Sequence, residues 1–139
     1  MQRWLFAFIA GFLAVIFFHQ PLLGLLHAYA VVPVAPFSTA PTAPLGVPAW
    51  LSAGFWGGLW GLAMIAALRW PGTRPLPWLK GLLFGGIALT TVALLVVFPL
   101  KGRGLDLAAL PGRFLIGFIV NAGWGVGTLI FAHLLFTRR

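Results

Sequence analysis

The sequence predicts an all-α fold, a bundle of four helices that cross a membrane, and three observations carry that prediction. Of 139 residues, 61% are hydrophobic and only 7% are charged, whereas a soluble domain uses about 25% charged residues to cover its surface. Mean hydropathy is +1.04. The apolar residues fall into four blocks, each near the roughly 20 residues a helix needs to cross a bilayer core. Most of the prolines and cations lie between those blocks.

The first span covers about 4–27. Arg3 precedes its apolar run, and Ala28-Tyr29-Ala30 has the small-x-small form of a signal-peptide cleavage site. The apolar stretch from Trp4 to Leu26 exceeds the roughly 7–15 residues of a signal core, so it reads as a retained helix. Pro48 opens the second span, about 48–68, and Arg69 and Pro71 close it. The third, about 79–100, begins beside Lys80 and ends at Pro99 and Lys101, and the fourth, about 113–136, begins at Arg113. Nothing left over could form a soluble domain, so residues 1–139 read as a single transmembrane domain.

The connection at 28–47, AYAVVPVAPFSTAPTAPLGV, has no charge. Its prolines at 33, 36, 41 and 44 favour extended backbone, and it is expected to lie over the bundle as a cap. Orientation follows from the cations in short loops, which stay preferentially on the cytoplasmic side. Arg3, Arg69, Arg74, Lys80, Arg138 and Arg139 lie on one side, and Lys101, Arg103 and Arg113 on the other. That bias predicts that both termini lie in the cytoplasm and the 28–47 loop outside.

The net charge of +8 does not point to nucleic acid, because the cations are scattered singly rather than gathered on one face. They suit headgroups of the lipid bilayer better. Cysteine is absent, which excludes disulfide and thiolate chemistry. Asp106 is the single acidic residue, so paired-carboxylate catalysis and carboxylate-rich metal sites are excluded. His19 and His27 stand eight residues apart on one helix, roughly 12 Å by helical rise, and His133 lies near the opposite membrane face. No metal or cofactor is expected, and no phosphate loop, Ser-His-Asp set or zinc-ligand spacing is present.

Helix packing is written in small residues, which let backbones approach where lipid supplies no hydrophobic drive. The second span holds GFWGGLWG, with Gly54/Gly58 and Gly57/Gly61 as overlapping pairs. The third holds Gly81/Gly85, and the fourth Gly117, Asn121 and Gly125 at i+4 steps. These stripes either pack one bundle or join protomers in a homo-oligomer. Trp56 and Trp60 share a face beside the glycines, where they fill space or line a cavity. The two halves also echo each other: Pro21-Leu22-Leu23-Gly24 resembles Pro99-Leu100-Lys101-Gly102. Likewise, Gly54-Phe55 and Trp60-Gly61 resemble Gly117-Phe118 and Trp124-Gly125. That pattern suggests a tandem pair of helical hairpins.

Polar groups inside a membrane often mark sites. By helical rise, His19, Gln20 and Ser52 are shallow from the outer side, Asn121 is on the order of 10 Å in, and Thr90 and Thr91 lie near the middle. The inner half offers glycines and His133. That asymmetry argues against a continuous pore, which would be polar throughout, and for an outward pocket. Asn121, Gln20, His19 and Thr91 are its candidate polar residues, with Trp56 and Trp60 as walls. Each has a structural alternative: interfacial hydrogen bonds for His19 and Gln20, bonds to carbonyls of their own helix for the threonines, and an interhelical bond for Asn121.

The strings FHQPLL, APFSTAPTAPLGVP, FWGGLWG and NAGWGVGT together resemble a group of small four-span proteins of proteobacterial inner membranes. The resemblance spans nearly the whole chain and implies the four-span fold, with no activity to carry over. The membrane-embedded Glu of small multidrug transporters and the Asn and Phe pattern of small fluoride channels are both missing. The leading functional expectation is binding or translocation of a small solute or ion through the outward pocket. The alternatives are a non-catalytic accessory subunit that packs its glycine stripes against a larger membrane complex, and an intramembrane enzyme using His19 as acid or base.

Overall fold

The computed structural model describes residues 1–71 and 74–138; Arg139, one of the cations used for orientation, lies outside them. Four helices are long and apolar enough to cross a membrane: α1 Gln2–Ala28, α2 Ala49–Leu68, α3 Trp78–Leu100 and α4 Leu110–Thr137. The fold is all-α apart from β1 Pro41–Thr42 and β2 Val47–Pro48, an antiparallel ribbon with Pro41 opposite Pro48 and Thr42 opposite Val47. One end of the molecule carries this ribbon and the 101–109 connection, the loop end. The other, the terminal end, carries both chain termini and the α2–α3 connection.

α1 and α3 are not uniform α-helices. α1 passes through a π-helical turn at Val15–His19, where the Gln20 N–H reaches back to the Val15 carbonyl. α3 contains π-helical stretches at Phe84–Leu89 and Ala93–Val97. In the second, the Phe98 N–H bonds to the Ala93 carbonyl. Pro21 and Pro99 each sit one residue beyond these donors. A helix-interior proline has no N–H and its ring presses on the carbonyl four residues back, and the wider turn just before it accommodates both defects. α3 then stops in a Schellman turn: Gly102 takes φ +71°, its N–H bonds to the Pro99 carbonyl, and the Arg103 N–H bonds to the Phe98 carbonyl. Glycine enters that left-handed conformation without the Cβ penalty.

The helices stand side by side in the order α2, α1, α4, α3, with α1 packed on α2 and α4, and α4 packed on α3. The α1–α2 and α3–α4 hairpins cross in the same way. A Cβ on Gly11 would strike the Gly57 carbonyl oxygen and come within 3.0 Å of the Gly61 Cα. A Cβ on Gly85 would strike the Asn121 carbonyl oxygen and come within 3.1 Å of the Gly125 Cα. Only glycine at 11 and 85 permits backbones this close. One step along, the pairing is exchanged: the Phe12 ring lies over Gly54 in the first hairpin, and the Phe118 ring over Gly86 in the second.

The glycine crossing therefore pairs Gly11 with Gly85, while the prolines pair Pro21 with Pro99. The second crossing-to-proline interval is four residues longer by subtraction of those positions, about one helical turn. The sequence echo of Trp60-Gly61 with Trp124-Gly125 coincides with the crossing, where Gly61 and Gly125 hold equivalent places, while the Pro21/Pro99 echo in α1 and α3 follows a register four residues away.

The glycine stripes all face neighbours within the chain. Gly57 and Gly61 lie on the α1 backbone, and Gly58 lies under the Phe8 ring. Gly81 and Gly125 face each other, and Gly117 meets the Thr90 methyl. Trp124, Met64, Ile65 and Leu129 are the largest fully buried apolar side chains. The Trp124 indole donates to the Gly11 carbonyl at 3.0 Å and so ties α4 to the α1–α2 crossing. At the terminal end, Arg3 donates to the Trp70 carbonyl at 2.6 Å, and Trp70 stacks on His133 with ring centroids 6.1 Å apart.

A candidate binding cleft between α2 and α3

α2 and α3 are the two open ends of the row, and a cleft of about 1220 Å³ separates them. α1 and α4 form its back wall through Val15, His19, Asn121 and Trp124. Trp56, Leu59 and Trp60 line the α2 side, and Leu89, Val92, Ala93 and Val97 the α3 side. Several of these come from the π-helical stretches, whose widened turns redirect side chains. Thr42, Lys101 and Arg103 stand at the mouth, at the loop end. Within the cleft's wall, Trp60 meets Phe84 edge-on, with centroids 6.1 Å apart and planes at 69°, and this contact bridges α2 and α3.

Of the residues singled out from the sequence, His19, Asn121, Trp56 and Trp60 line the cleft. Trp56 is 59% exposed and projects from α2 as a wall. Asn121 turns its Nδ2 away to Thr90, donating to Oγ1 at 3.0 Å. It therefore holds α3 to α4 and lines the space at once. The His19 Nδ1 is buried without a hydrogen-bond partner among the described residues.

Gln20 and Thr91 are placed elsewhere. Gln20 is buried and accepts the Phe37 N–H on Oε1 at 2.8 Å, which fastens the 29–48 loop to α1. His27 supports the same loop, its Nδ1 lying 3.0 Å from the Val32 carbonyl. Thr91 does not line the cleft; the buried threonine that engages Asn121 is its neighbour Thr90. Sequence reasoning missed Trp124, hidden in a Gly-rich string, and the mouth residues Lys101 and Arg103, which counted only towards orientation. Pairing the Pro-x-Lys-Gly-Arg turn with its uncharged counterpart after Pro21 was the signal that could have found the two cations.

The charge at the mouth is one-sided. Arg103 lies with its guanidinium carbon 4.9 Å from the Phe98 ring centroid, a cation–π contact that steadies it. The single carboxylate, Asp106, directs Oδ1 to the N–H groups of Ala108 and Ala109 at 3.1 and 3.3 Å. Among the described residues, no group of three or more His, Cys, Asp or Glu side chains could hold a metal ion. The arrangement offers an apolar slot, a small polar patch at its back and cations at its mouth. Compared with known proteins, the chain matches no family model, no curated protein and no solved structure.

Proposed function

We propose that the chain is a multi-pass protein of the bacterial inner membrane, with cytoplasmic termini, that binds a small solute in the α2–α3 cleft from the outer side. The observation that carries this reading is the cleft itself, with Thr42, Lys101 and Arg103 at its loop end and the Trp60–Phe84 contact joining its two sides. The apolar Trp60–Phe84 bridge favours a binding site over a continuous channel, which would be polar throughout. Loop cations favour the same orientation, with the heavier cluster at the terminal end. The accessory-subunit reading relied on glycine stripes turned outward, and these stripes lie against helices of the same chain.

Native mass spectrometry of the chain, extracted from its own membrane in mild detergent, tests the proposal. The wild type is expected to retain a bound molecule. Ala63→Trp and Ala93→Trp, which fill the cleft from opposite sides, are expected to lose it while keeping their helical circular dichroism. A wild-type spectrum holding the bare chain alone would sink the proposal.

A further inference from the structure

We propose that the natural occupant of this cleft is a single anionic phospholipid from the leaflet at the loop end. Its phosphate would rest on Lys101 and Arg103 and its acyl chains between α2 and α3; this rests on the cleft being a binding site.

Three observations point to that class of ligand. The first is depth. From Lys101 at the mouth to Leu89 at the lower end of the α3 wall is twelve residues of α3 by position, about 18 Å by helical rise. Half of a bilayer core is about 15 Å, so the slot is as deep as one leaflet is thick.

The second is the opening. With α1 and α4 behind it, the cleft faces outward between helices that touch only lower down. Trp56, Leu59 and Leu100 line it and are exposed, so an acyl chain can enter sideways without leaving hydrocarbon. A free anion would leave these apolar walls unfilled.

The third is charge. Lys101 and Arg103 stand where the headgroup of such a lipid would lie, held there by the turn at Gly102, and the chain's one acid is turned to its own backbone. Under the orientation proposed above, both belong to the minority of cations on the translocated side, which the positive-inside bias disfavours. An anionic ligand gives them a reason to be there. α1 supplies the contrast, because its own Pro-Leu-x-Gly segment carries Leu23 where α3 carries Lys101.

The test uses the full chain reconstituted in equimolar phosphatidylglycerol and phosphatidylcholine, then released for native mass spectrometry. One phosphatidylglycerol per chain is expected to be retained over phosphatidylcholine by roughly thirtyfold, the effect of two cations at a membrane surface. Lys101→Gln/Arg103→Gln is expected to retain both lipids near parity. Arg113→Gln, which removes a loop-end cation that does not line the cleft, is expected to keep the preference. Excess inorganic phosphate is expected to leave it unchanged.

Equal retention of the two lipids by the wild type would overturn the anionic-lipid assignment and leave cleft binding intact. No retained lipid, together with a bare chain from the native membrane, would overturn both. An Arg113→Gln loss as large as that of the double variant would assign the preference to diffuse surface charge, and displacement by phosphate would assign the seat to a free anion. Either result overturns the proposal.

Discussion

Asn121 and Thr90 show how one side chain can be both structural and exposed to a binding space. Their hydrogen bond crosses from α4 to α3 at 3.0 Å, and such bonds in membranes are worth about 0.6 kcal/mol on average and up to about 1.7. A double-mutant cycle of Asn121→Ala and Thr90→Val, read by thermal unfolding in detergent, is expected to return a coupling within that range. Thr91→Val is expected to shift stability by less than about 0.5 kcal/mol. The sequence displays Thr90 and Thr91 as equals, each 100° apart on an ideal helix. Beyond the π-helical stretch ending at Leu89, Thr90 is the one turned to Asn121. Glycine gives the sharper contrast. Gly85→Leu would drive a side chain into the Asn121 carbonyl and is expected to cost about 3 kcal/mol or more. Gly112→Ala, with open space around it, is expected to be neutral in the same unfolding measurement.

At the scale of elements, the 29–48 loop and the proline-marked turns carry the lesson. The prolines and the missing charge suggested an extended cap. The loop instead runs through turns at 36–37 and 43–46, with Phe37 at φ 51°, and is pinned by Gln20 to Phe37 and closed by the β1–β2 ribbon, in which Thr42 Oγ1 donates to the Val47 carbonyl at 2.7 Å. Gln20 thus serves the loop and stays out of the cleft, although its neighbour His19 lines that cleft. Gln20→Leu leaves the Phe37 N–H without its acceptor, a loss of about 1 kcal/mol. Hydrogen exchange at Phe37 is expected to accelerate about fivefold, with little change at Leu129 deep in α4. The π-helical turns were not legible, because nothing local to Val15–His19 demands one. Pro21 requires relief somewhere upstream, and packing chooses where.

At the scale of the whole molecule, two similar hairpins meet through α1 and α4 and leave α2 and α3 apart. That inequality creates the cleft, and no single helix contains it. Sidedness is testable because the chain holds no cysteine. Leu45→Cys, 84% exposed in the loop, is expected to react with a membrane-impermeant maleimide in intact cells whose outer membrane has been permeabilised. Gln2→Cys is expected to react only after lysis. The opposite pattern would place the loop end in the cytoplasm and reverse the side from which the cleft is reached.

The sequence by itself determined the number of long apolar helices, their approximate ends and the chemistry they lack. Length, hydropathy and residue inventory are local or additive properties, readable without knowing what touches what. It also marked Gly57, Gly61, Gly85 and Gly125 as positions of close approach, since small residues in apolar helices have few other uses. The tertiary structure alone decided which helices those glycines join, that Gly11 completes one crossing, and that α2 and α3 part to admit a ligand. Those outcomes depend on the rotational phase and order of the helices. Phase is shifted by π-helical turns and order is set by contacts between segments more than a hundred residues apart, such as Trp124 with Gly11, and neither is written in any one stretch of the chain.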